Sequence, residues 1–514
     1  MLQIKNVTIT HKKDLRTIIE NFSLVLNHGD KAVIIGEEGN GKSTLLKWIY
    51  NPSSIETYTE ASGERIIHKE RVAYLPQELD KSDLSKTIYE FFTEEVLFWE
   101  QTPSQLGKLA REFHFPKEIF YEEQKMGTLS GGEKVKIQMM RLLISQPTIL
   151  LLDEPSNDID IETLEWLEQM ILDWKYTVLY ISHDETLIEN TVNVVIHLEQ
   201  IRRKTQTRYT IARISYTQYT KERLHKFEKQ TQQAFQDKRE KQIRDEKYRK
   251  IMQKVEHQQH VISRQDPHGG ALLKKKMHAV KAIGHRFQRE DEKMTQMPEQ
   301  EEAIFFKLGD ETAKIPSGKT VLEYSLDTLY TPDHTKLLAS DIKLCIRGSE
   351  KICIVGKNGI GKTTLLRKIA EELFIRNDIR VEYMPQNYEE LLDFSMTPIE
   401  YLTKTGAKEE QTNIRTFLGA LKYTIDEMNH PIAELSGGQK AKVLLLKMSI
   451  SKANVLILDE PTRNFSPLSN PVIRQMLAEF PGAIISISHD RKYIQEVCEK
   501  VYELVPTGLS YLNS

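Results

Sequence analysis

Four short strings occur twice in this chain, in the same order. GEEGNGKST at Gly36–Thr44 returns as GKNGIGKTT at Gly356–Thr364, and LSGGE from Leu129 returns as LSGGQ from Leu435. ILLLDEP from Ile149 returns as VLILDEP from Val455, and ISHD from Ile181 returns from Ile487. The spacing repeats too: Ser130 to Asp153 and Ser436 to Asp459 are both 23 residues, and Asp153 to His183 and Asp459 to His489 are both 30. A repeat of this kind dictates two copies of one domain. They are expected over about 1–205 and 302–514, with a segment of different character, 206–301, between them.

Within each copy, KAVIIG and KICIVG read as buried strands closing on a glycine turn, and STLLKWIY and TTLLRKIA as the helices that follow. TILLLDE and NVLILDE have the short apolar run of central parallel strands. The expected class is α/β, in two tandem domains. With 28% charged residues and a net charge of −3, any contact with a polyanion must be local. No apolar run approaches the ~20 residues of a membrane-spanning helix. The first residues, MLQIKNVTIT, lack the pattern of a secretory leader. Cys345, Cys353 and Cys498 lack metal-ligand spacing and read as reduced thiols, so a cytoplasmic protein is expected.

G-x-x-x-x-G-K-[ST] lets the backbone curl until successive N–H groups converge at a helix start, where phosphate oxygens are held. Gly36, Gly39, Gly41, Lys42, Ser43 and Thr44 supply one such loop. Gly356, Gly359, Gly361, Lys362, Thr363 and Thr364 supply the other. Lys42 and Lys362 would lie against the β and γ phosphates of ATP, and Ser43 and Thr363 would offer a hydroxyl to Mg2+. Asp153 and Asp459 end apolar strands, where a carboxylate can hold the same ion. Glu154 and Glu460 follow as candidate bases for a hydrolytic water. Gln77 in AYLPQ and Gln386 in EYMPQ can reach metal and water, and His183 and His489 can contact the γ-phosphate. ATP and Mg2+ are the expected cofactors.

Phosphate loop, Pro-Gln, Leu-Ser-Gly-Gly, Asp-Glu-Pro and Ser-His-Asp, in that order and in both copies, resemble the ATP-binding cassette family. The resemblance implies ABC-type P-loop ATPase domains in which Ser-Gly-Gly caps the nucleotide of the facing domain. Ser130, Gly131 and Gly132 would close on ATP held by Lys362, Gln386 and Glu460. Ser436, Gly437 and Gly438 would close on ATP held by Lys42, Gln77 and Glu154. ATP that touches both halves favours closure by its differential affinity, which makes a clamp of a monomer with its cassettes paired within one chain. After DEP the copies read SNDID and TRNFS, so Asp160 is matched by Ser466, which argues against equal turnover. Tyr330 is the candidate to stack on adenine in the second copy, while ITHKKDLRT offers no aromatic in the first.

Two cassettes on one chain without a membrane segment resemble the soluble ABC-F group, which acts on the translating ribosome. Gln77 to Leu129 is 52 residues and Gln386 to Leu435 is 49, so the first copy lacks the arm that many members insert there. What distinguishes this chain falls to its middle. From about Tyr216 to Met297 it is charged and nearly free of Pro and Gly, save DPHGG at Asp266–Gly270, which reads as a turn. Phe227, Ala234, Lys241, Tyr248, Val255 and Ile262 fall at steps of seven before it, and Leu273, Val280, Phe287 and Met294 after it. A stripe on each side of a turn predicts an antiparallel helical hairpin, as in a coiled coil, that joins the two domains. In it Ile262 meets Leu273, Val255 meets Val280, Tyr248 meets Phe287 and Lys241 meets Met294. At ~1.5 Å per residue the first helix would reach ~70 Å.

From Ala271 to Arg289 the chain carries six Lys or Arg and no acid: Lys274, Lys275, Lys276, Lys281, Arg286 and Arg289. Such a row binds phosphate backbone without sequence preference and with strong salt dependence, so RNA is its expected partner. The long linker, the missing arm and DEPTRNFSPLS at Asp459–Ser469 resemble the antibiotic-resistance branch of ABC-F, of the lincosamide, pleuromutilin and streptogramin A type. That resemblance implies the bacterial ribosome as partner, reached through its E site. It further implies contact with large-subunit rRNA, a push on the peptidyl-site tRNA, and a linker tip, here about 261–273, at the peptidyl-transferase centre. The alternatives are a housekeeping ABC-F factor that relieves stalled ribosomes, and a soluble ATPase subunit docking on a separate membrane permease. A hairpin of that reach has no evident use in the last.

Overall fold

Lys31–Ile35, Ile149–Asp153 and Thr177–Ile181 are five-residue runs with every residue buried, and so are Lys351–Val355, Val455–Asp459 and Ala483–Ile487. Short, continuously apolar segments of this sort lie where a parallel sheet is covered on both faces. In the computed structural model, the described residues are 1–201, 206–261, 267–291 and 311–512, with Met294, Thr295, Met297, Pro298, Leu308 and Gly309. The chain divides into two units, Met1–Tyr216 with Glu301–Ser514, and Thr217–Gln300.

The first unit holds two six-stranded sheets of one topology. The first runs in the order Val72–Leu75, Ile149–Asp153, Thr177–Ile181, Lys31–Ile35, Val194–Ile201, Gln206–Ala212. The second runs Val381–Met384, Val455–Asp459, Ala483–Ile487, Lys351–Val355, Lys500–Val505, Gly508–Leu512. All neighbours are parallel except the last pair of each, which is an antiparallel hairpin. Parallel strands require crossovers, and each sheet is closed over by helices that bury leucine and isoleucine against it. Leu45, Leu46 and Ile49 of helix Lys42–Tyr50 share a cluster with Ile34, Leu151 and Ile181. Each such side chain contributes about 1.5–3 kcal/mol by leaving water. A smaller antiparallel sheet accompanies each copy, Leu2–His11 with Thr17–Leu26 and Thr59–Ile67 in the first, and Thr320–Tyr330 with Leu337–Arg347 in the second. The expected α/β class with two tandem domains is the class observed.

The topology decides where chemistry can sit. Lys31–Ile35 lies inside its sheet and its carboxyl end opens on Gly36; Lys351–Val355 opens on Gly356 in the same way. Ligands of open parallel sheets bind at the carboxyl ends of the strands. Register does the rest, for Asp153 pairs with Ile181 and Asp459 with Ile487, which brings the Asp-Glu pair beside the following histidine in each copy.

The second unit is two helices, Tyr216–Val261 of 46 residues and Pro267–Asp291 of 25. The first contains no Gly or Pro, the two residues that most weaken a helix interior. Ala234, Val255 and Val280 are buried, and the rings of Tyr248 and Phe287 meet edge to face at 5.9 Å. Polar contacts continue the pairing: Lys241 Nζ lies 2.8 Å from Asp291, Arg244 reaches Glu290 at 3.2 Å and also bonds Asp291, and Asp237 accepts from the Thr295 N–H at 2.9 Å. A Cβ on Gly284 would stand 2.5 Å from the Tyr248 hydroxyl, so the absence of a side chain there lets the tyrosine cross. Gly284→Leu is expected to cost about 1–3 kcal/mol by overpacking. Limited proteolysis should then cut faster between residues 217 and 300, with the cassettes still resistant. Unchanged cleavage would contradict this packing.

Two expectations need correction. The turn read from DPHGG is shorter, because Pro267 to Gly270 are already helical. Proline is well placed in a first helical turn, where its φ is preset and no N–H is lost. Of the expected tip 261–273, Val261 and 267–273 are helical, while Asp266 and Ile262 lie outside the described residues. Met294 falls past the helix end at Asp291, so Lys241 finds a carboxylate instead of the methionine.

Candidate nucleotide sites

Both glycine loops adopt conformations that a side chain would forbid. Gly36, Gly39 and Gly41 have φ of 144, 82 and 84°, and Gly356, Gly359 and Gly361 have 142, 77 and 103°. A Cβ on Gly41 would lie 2.1 Å from Ile18 Cγ2. Lys42 and Lys362 begin the helices that follow, and each ammonium turns back onto its loop. Lys42 donates to the carbonyls of Gly36 (2.9 Å) and Glu37 (3.1 Å), and Lys362 to those of Gly356 (2.7 Å) and Lys357 (3.1 Å). Thr44 and Thr364 follow within the same first turns.

The Asp-Glu pairs stand across from these helix starts. Glu154 and Glu460 have φ of 50 and 53°, rare for a residue with a Cβ. Both donate their N–H to the neighbouring strand, at Ile181 O (3.1 Å) and Ile487 O (2.9 Å). The bond fixes the turn that aims the carboxyl group. Beyond that backbone the copies diverge. Asp153 accepts from Ser43 (2.8 Å) and from the Tyr74 hydroxyl (2.9 Å), whereas Asp459 Oδ2 is buried with no partner among the described residues. Glu154 accepts from Gln77 (2.9 Å) and Asn157 (2.5 Å), and lies 3.3 Å from His183 Nε2. Burial works against its charge, but His183, Lys42 and Asn157 outweigh that and hold its carboxyl down at about 2. Among the described residues the Glu460 carboxyl group has only the His489 N–H at 3.3 Å, and His489 Nε2 at 3.7 Å. Burial, then the charge of Asp459, push it up to about 8. Burial, then Lys362, push His489 down to about 4.

The two cassettes meet over these groups. Ser130 and Gly131 of the first line a cleft of about 450 Å3 with Lys362, Glu460, Gln386 and His489 of the second. Ser130 caps the helix Gly131–Ile144 and Ser436 caps Gly437–Ser451, each in a reciprocal box with Glu133 or Gln439, so the helix starts point into the interface. Around the cleft, Asp158 accepts from Gln386 (3.2 Å) and pairs with Arg463 (2.8 Å), and Asp160 accepts from the Asn358 N–H (3.3 Å). Ser466, the counterpart of Asp160, bonds instead to Ser469 at 2.9 Å inside its own cassette. The other composite corner, where Glu37 and Glu38 face Ser436 and Gly438, encloses only about 30 Å3. Tyr330 does not line the large cleft, though Thr331 does. A register shift between Leu329 and Tyr330 breaks the alternation that buries Leu322 and Tyr324, so Leu329 is buried and Tyr330 outward, with its ring 6.2 Å from that of His334.

Residues that the sequence reading did not single out complete the interface. Arg474, 3% exposed, reaches Glu185, 4% exposed, at 2.6 Å, and Lys492 bonds Glu185 (3.1 Å) and Glu189 (2.7 Å). Arg491 pairs with Glu168 at 2.8 Å. On the second unit, Lys274, Lys275, Lys276, Lys281, Arg286 and Arg289 are all exposed, with Arg286 3.4 Å from Glu290. At ~100° per residue, all of these but Lys276 gather on the side of the helix opposite Leu273, Val280 and Phe287.

A divalent ion fits the donor set of each phosphate site. Hydroxyl, amide and carboxylate oxygens suit Mg2+, and Asp459, hydrogen-bonded to the second loop's Thr363, keeps a buried Oδ2 with no partner among the described residues. No group of three His, Cys, Asp or Glu fit to hold a metal by itself occurs among the described residues, so phosphate oxygens would have to complete the shell. No helix among them is long and apolar enough to cross a membrane.

A family model described as ABC transporter matches residues 19–157 and 339–463, over half of the chain. ABC transporter F family member 4 of Arabidopsis thaliana is 27% identical over 94% of this chain and 70% of its own length. Ribosome protection protein VmlR of Bacillus subtilis is 27% identical over 99% of this chain and 88% of its own. Among solved structures, a complex of archaeal ribosomal stalk protein aP1 with the ribosome recycling factor aABCE1 aligns with a TM-score of 0.57 at 15% identity. The alignment covers 99% of this chain and 90% of that one, a likeness of fold.

Proposed function

The chain belongs to the ABC transporter family, as a two-cassette ATPase of the ABC-F kind, and we propose that it works on the bacterial ribosome to relieve antibiotics bound near the peptidyl-transferase centre. It binds and hydrolyses ATP. In this reading Lys42 and Lys362 neutralise the β and γ phosphates, and Glu154 and Glu460 orient the attacking water. His183 and His489 hold the γ-phosphate end. Ser43, Asp153 and Gln77 at one site, and Thr363, Asp459 and Gln386 at the other, hold Mg2+, which offsets the charge of the phosphates. Ser130 to Gly132 and Ser436 to Gly438 cap the nucleotide from the facing cassette, so the clamp closes when ATP is present. The hairpin enters by way of the E site, meets large-subunit rRNA beside the peptidyl-site tRNA, and presents residues around 261–273 to the drug pocket.

The observation that carries the reading is the cationic face of the second hairpin helix, with its apolar stripe turned the other way. The near full-length similarity to a protein named for ribosome protection supports it. Changing Lys274, Lys275 and Lys276 together to Ala is expected to lower the slope of log affinity against log salt by about 2, read by ribosome pelleting at several salt concentrations. An unchanged slope would take RNA contact away from this face. Drug relief is tested by expressing the chain in a sensitive bacterium against lincosamides, pleuromutilins and streptogramin A. The second reading, a housekeeping factor that relieves stalled ribosomes, is favoured by the equal identity to the plant relative. Unaltered sensitivity to every class, with ribosome binding retained, would select it.

A further inference from the structure

The phosphate loops differ most in the two residues after their first glycine, Glu37-Glu38 in one and Lys357-Asn358 in the other. Asn358 meets the first cassette as a neutral donor, its N–H 3.3 Å from Asp160 and its amide 2.6 Å from Asp158 O. The first loop meets the second cassette as an anion. Glu38 Oε2 accepts from the Gly438 N–H at 2.6 Å, and Glu37 Oε1 lies 3.5 Å from Lys442 Nζ. Gly438 is in the first turn of helix Gly437–Ser451, where unpaired N–H groups favour negative charge. The Ser436 hydroxyl oxygen accepts from the Gln439 N–H at 3.3 Å. A backbone donor that an arriving anion would use at this corner is bonded to Glu38.

We infer that Glu38 makes the two ATP sites unequal: on the second cassette's LSGGQ helix, its carboxylate holds the place that the γ-phosphate of ATP takes. The inference rests on the reading of both corners as shared ATP sites, and adds which of them resists ATP and why. A γ-phosphate arriving at Lys42 must displace an anion tethered beside it, and then lie next to that anion at like charge. ADP has no γ-phosphate and leaves the Glu38–Gly438 bond in place. The second site, whose loop carries no acid, loads first. Without a γ-phosphate, the Glu38–Gly438 bond itself clasps the first interface.

The test uses the full chain carrying E154Q and E460Q, so that ATP persists, titrated calorimetrically with ATP or ADP in the presence of Mg2+. Two steps of unequal affinity are expected, the weak one lost in K42A and the strong one in K362A. E38N, which copies the second loop, and E38Q, which keeps length and removes charge, should each tighten the weak ATP step about tenfold or more. The strong step and ADP affinity at the first site should not move. A weak step unmoved by either substitution overturns the inference and leaves the shared sites standing. So does equal tightening for ATP and ADP, which would mean a loosened loop with no competition for the γ-phosphate. ATP binding indifferent to both K42A and K362A would overturn the site reading and the inference with it.

Discussion

Changing Glu154 and Glu460 together to Gln is expected to lower ATP turnover about 100- to 10,000-fold while ATP binding survives. Gln keeps the size of each side chain but leaves one acceptor oxygen of the two and cannot take a proton. Under the proposed function closure depends on contacts that hydrolysis removes, so the variant should accumulate with ATP bound and pellet with ribosomes. Turnover within tenfold of the parent would place the base elsewhere. The single variants should behave differently, because the two carboxyl groups do. Glu154 is held at about 2 against burial by His183, Lys42 and Asn157, while Glu460 is pushed up to about 8 by burial and Asp459. The ionised fraction of a base climbs tenfold per pH unit below its pKa, and kcat/KM reports the free protein. E154Q, which retains Glu460, should therefore gain kcat/KM with pH up to about 8, whereas E460Q should stay flat from about pH 6 upward. Matching profiles would mean that the neighbours of the two bases do not set their charge.

The fold was legible because its decisive residues are local. A glycine loop after an apolar strand, and an Asp-Glu at the end of another, place themselves by strand and turn chemistry alone, and doing so twice leaves one architecture. Period-seven spacing likewise pointed to Tyr248 and Phe287, whose rings touch. Contacts between the cassettes were not legible, because nothing local encodes them. Glu38 and Gly438 are 400 residues apart and Arg474 and Glu185 are 289. One signal was nonetheless in view: two glutamates in a phosphate loop work against its purpose, and the second loop has none. The outward turn of Tyr330 was not legible, because counting alternate positions from the buried Leu322 and Tyr324 would turn it inward, and a register shift between Leu329 and Tyr330 breaks that count. DPHGG misled because proline and glycine mark turns on average, while a proline at the start of a helix does the opposite.

Arg474→Met is expected to destabilise the cassette unit by about 3–5 kcal/mol, measured as a fall in urea resistance. The Arg474 and Glu185 side chains are 3% and 4% exposed and 2.6 Å apart, and Glu496 holds the other edge of the guanidinium at 2.6 Å. Removing the arginine leaves a buried carboxylate with Lys492 at 3.1 Å as its remaining cation. Burial already raises the Glu185 pKa despite Arg474 and Lys492. A carboxyl group whose folded pKa lies above its unfolded value binds more protons when folded, so its contribution to stability falls as pH rises through that window. Arg474→Met raises it further, so the variant should lose more at pH 8 than at pH 5, where protonation relieves the unpaired charge. Adding Glu185→Leu should recover most of the loss, because an apolar pair of similar volume carries no desolvation cost. A loss below about 1 kcal/mol, or one that Glu185→Leu leaves unrelieved, would show that the pair is not what fastens this side of the interface. The fastening would then fall to the neighbouring contacts, Arg463 with Asp158 and Arg491 with Glu168, both partly in water and so weaker and salt-sensitive.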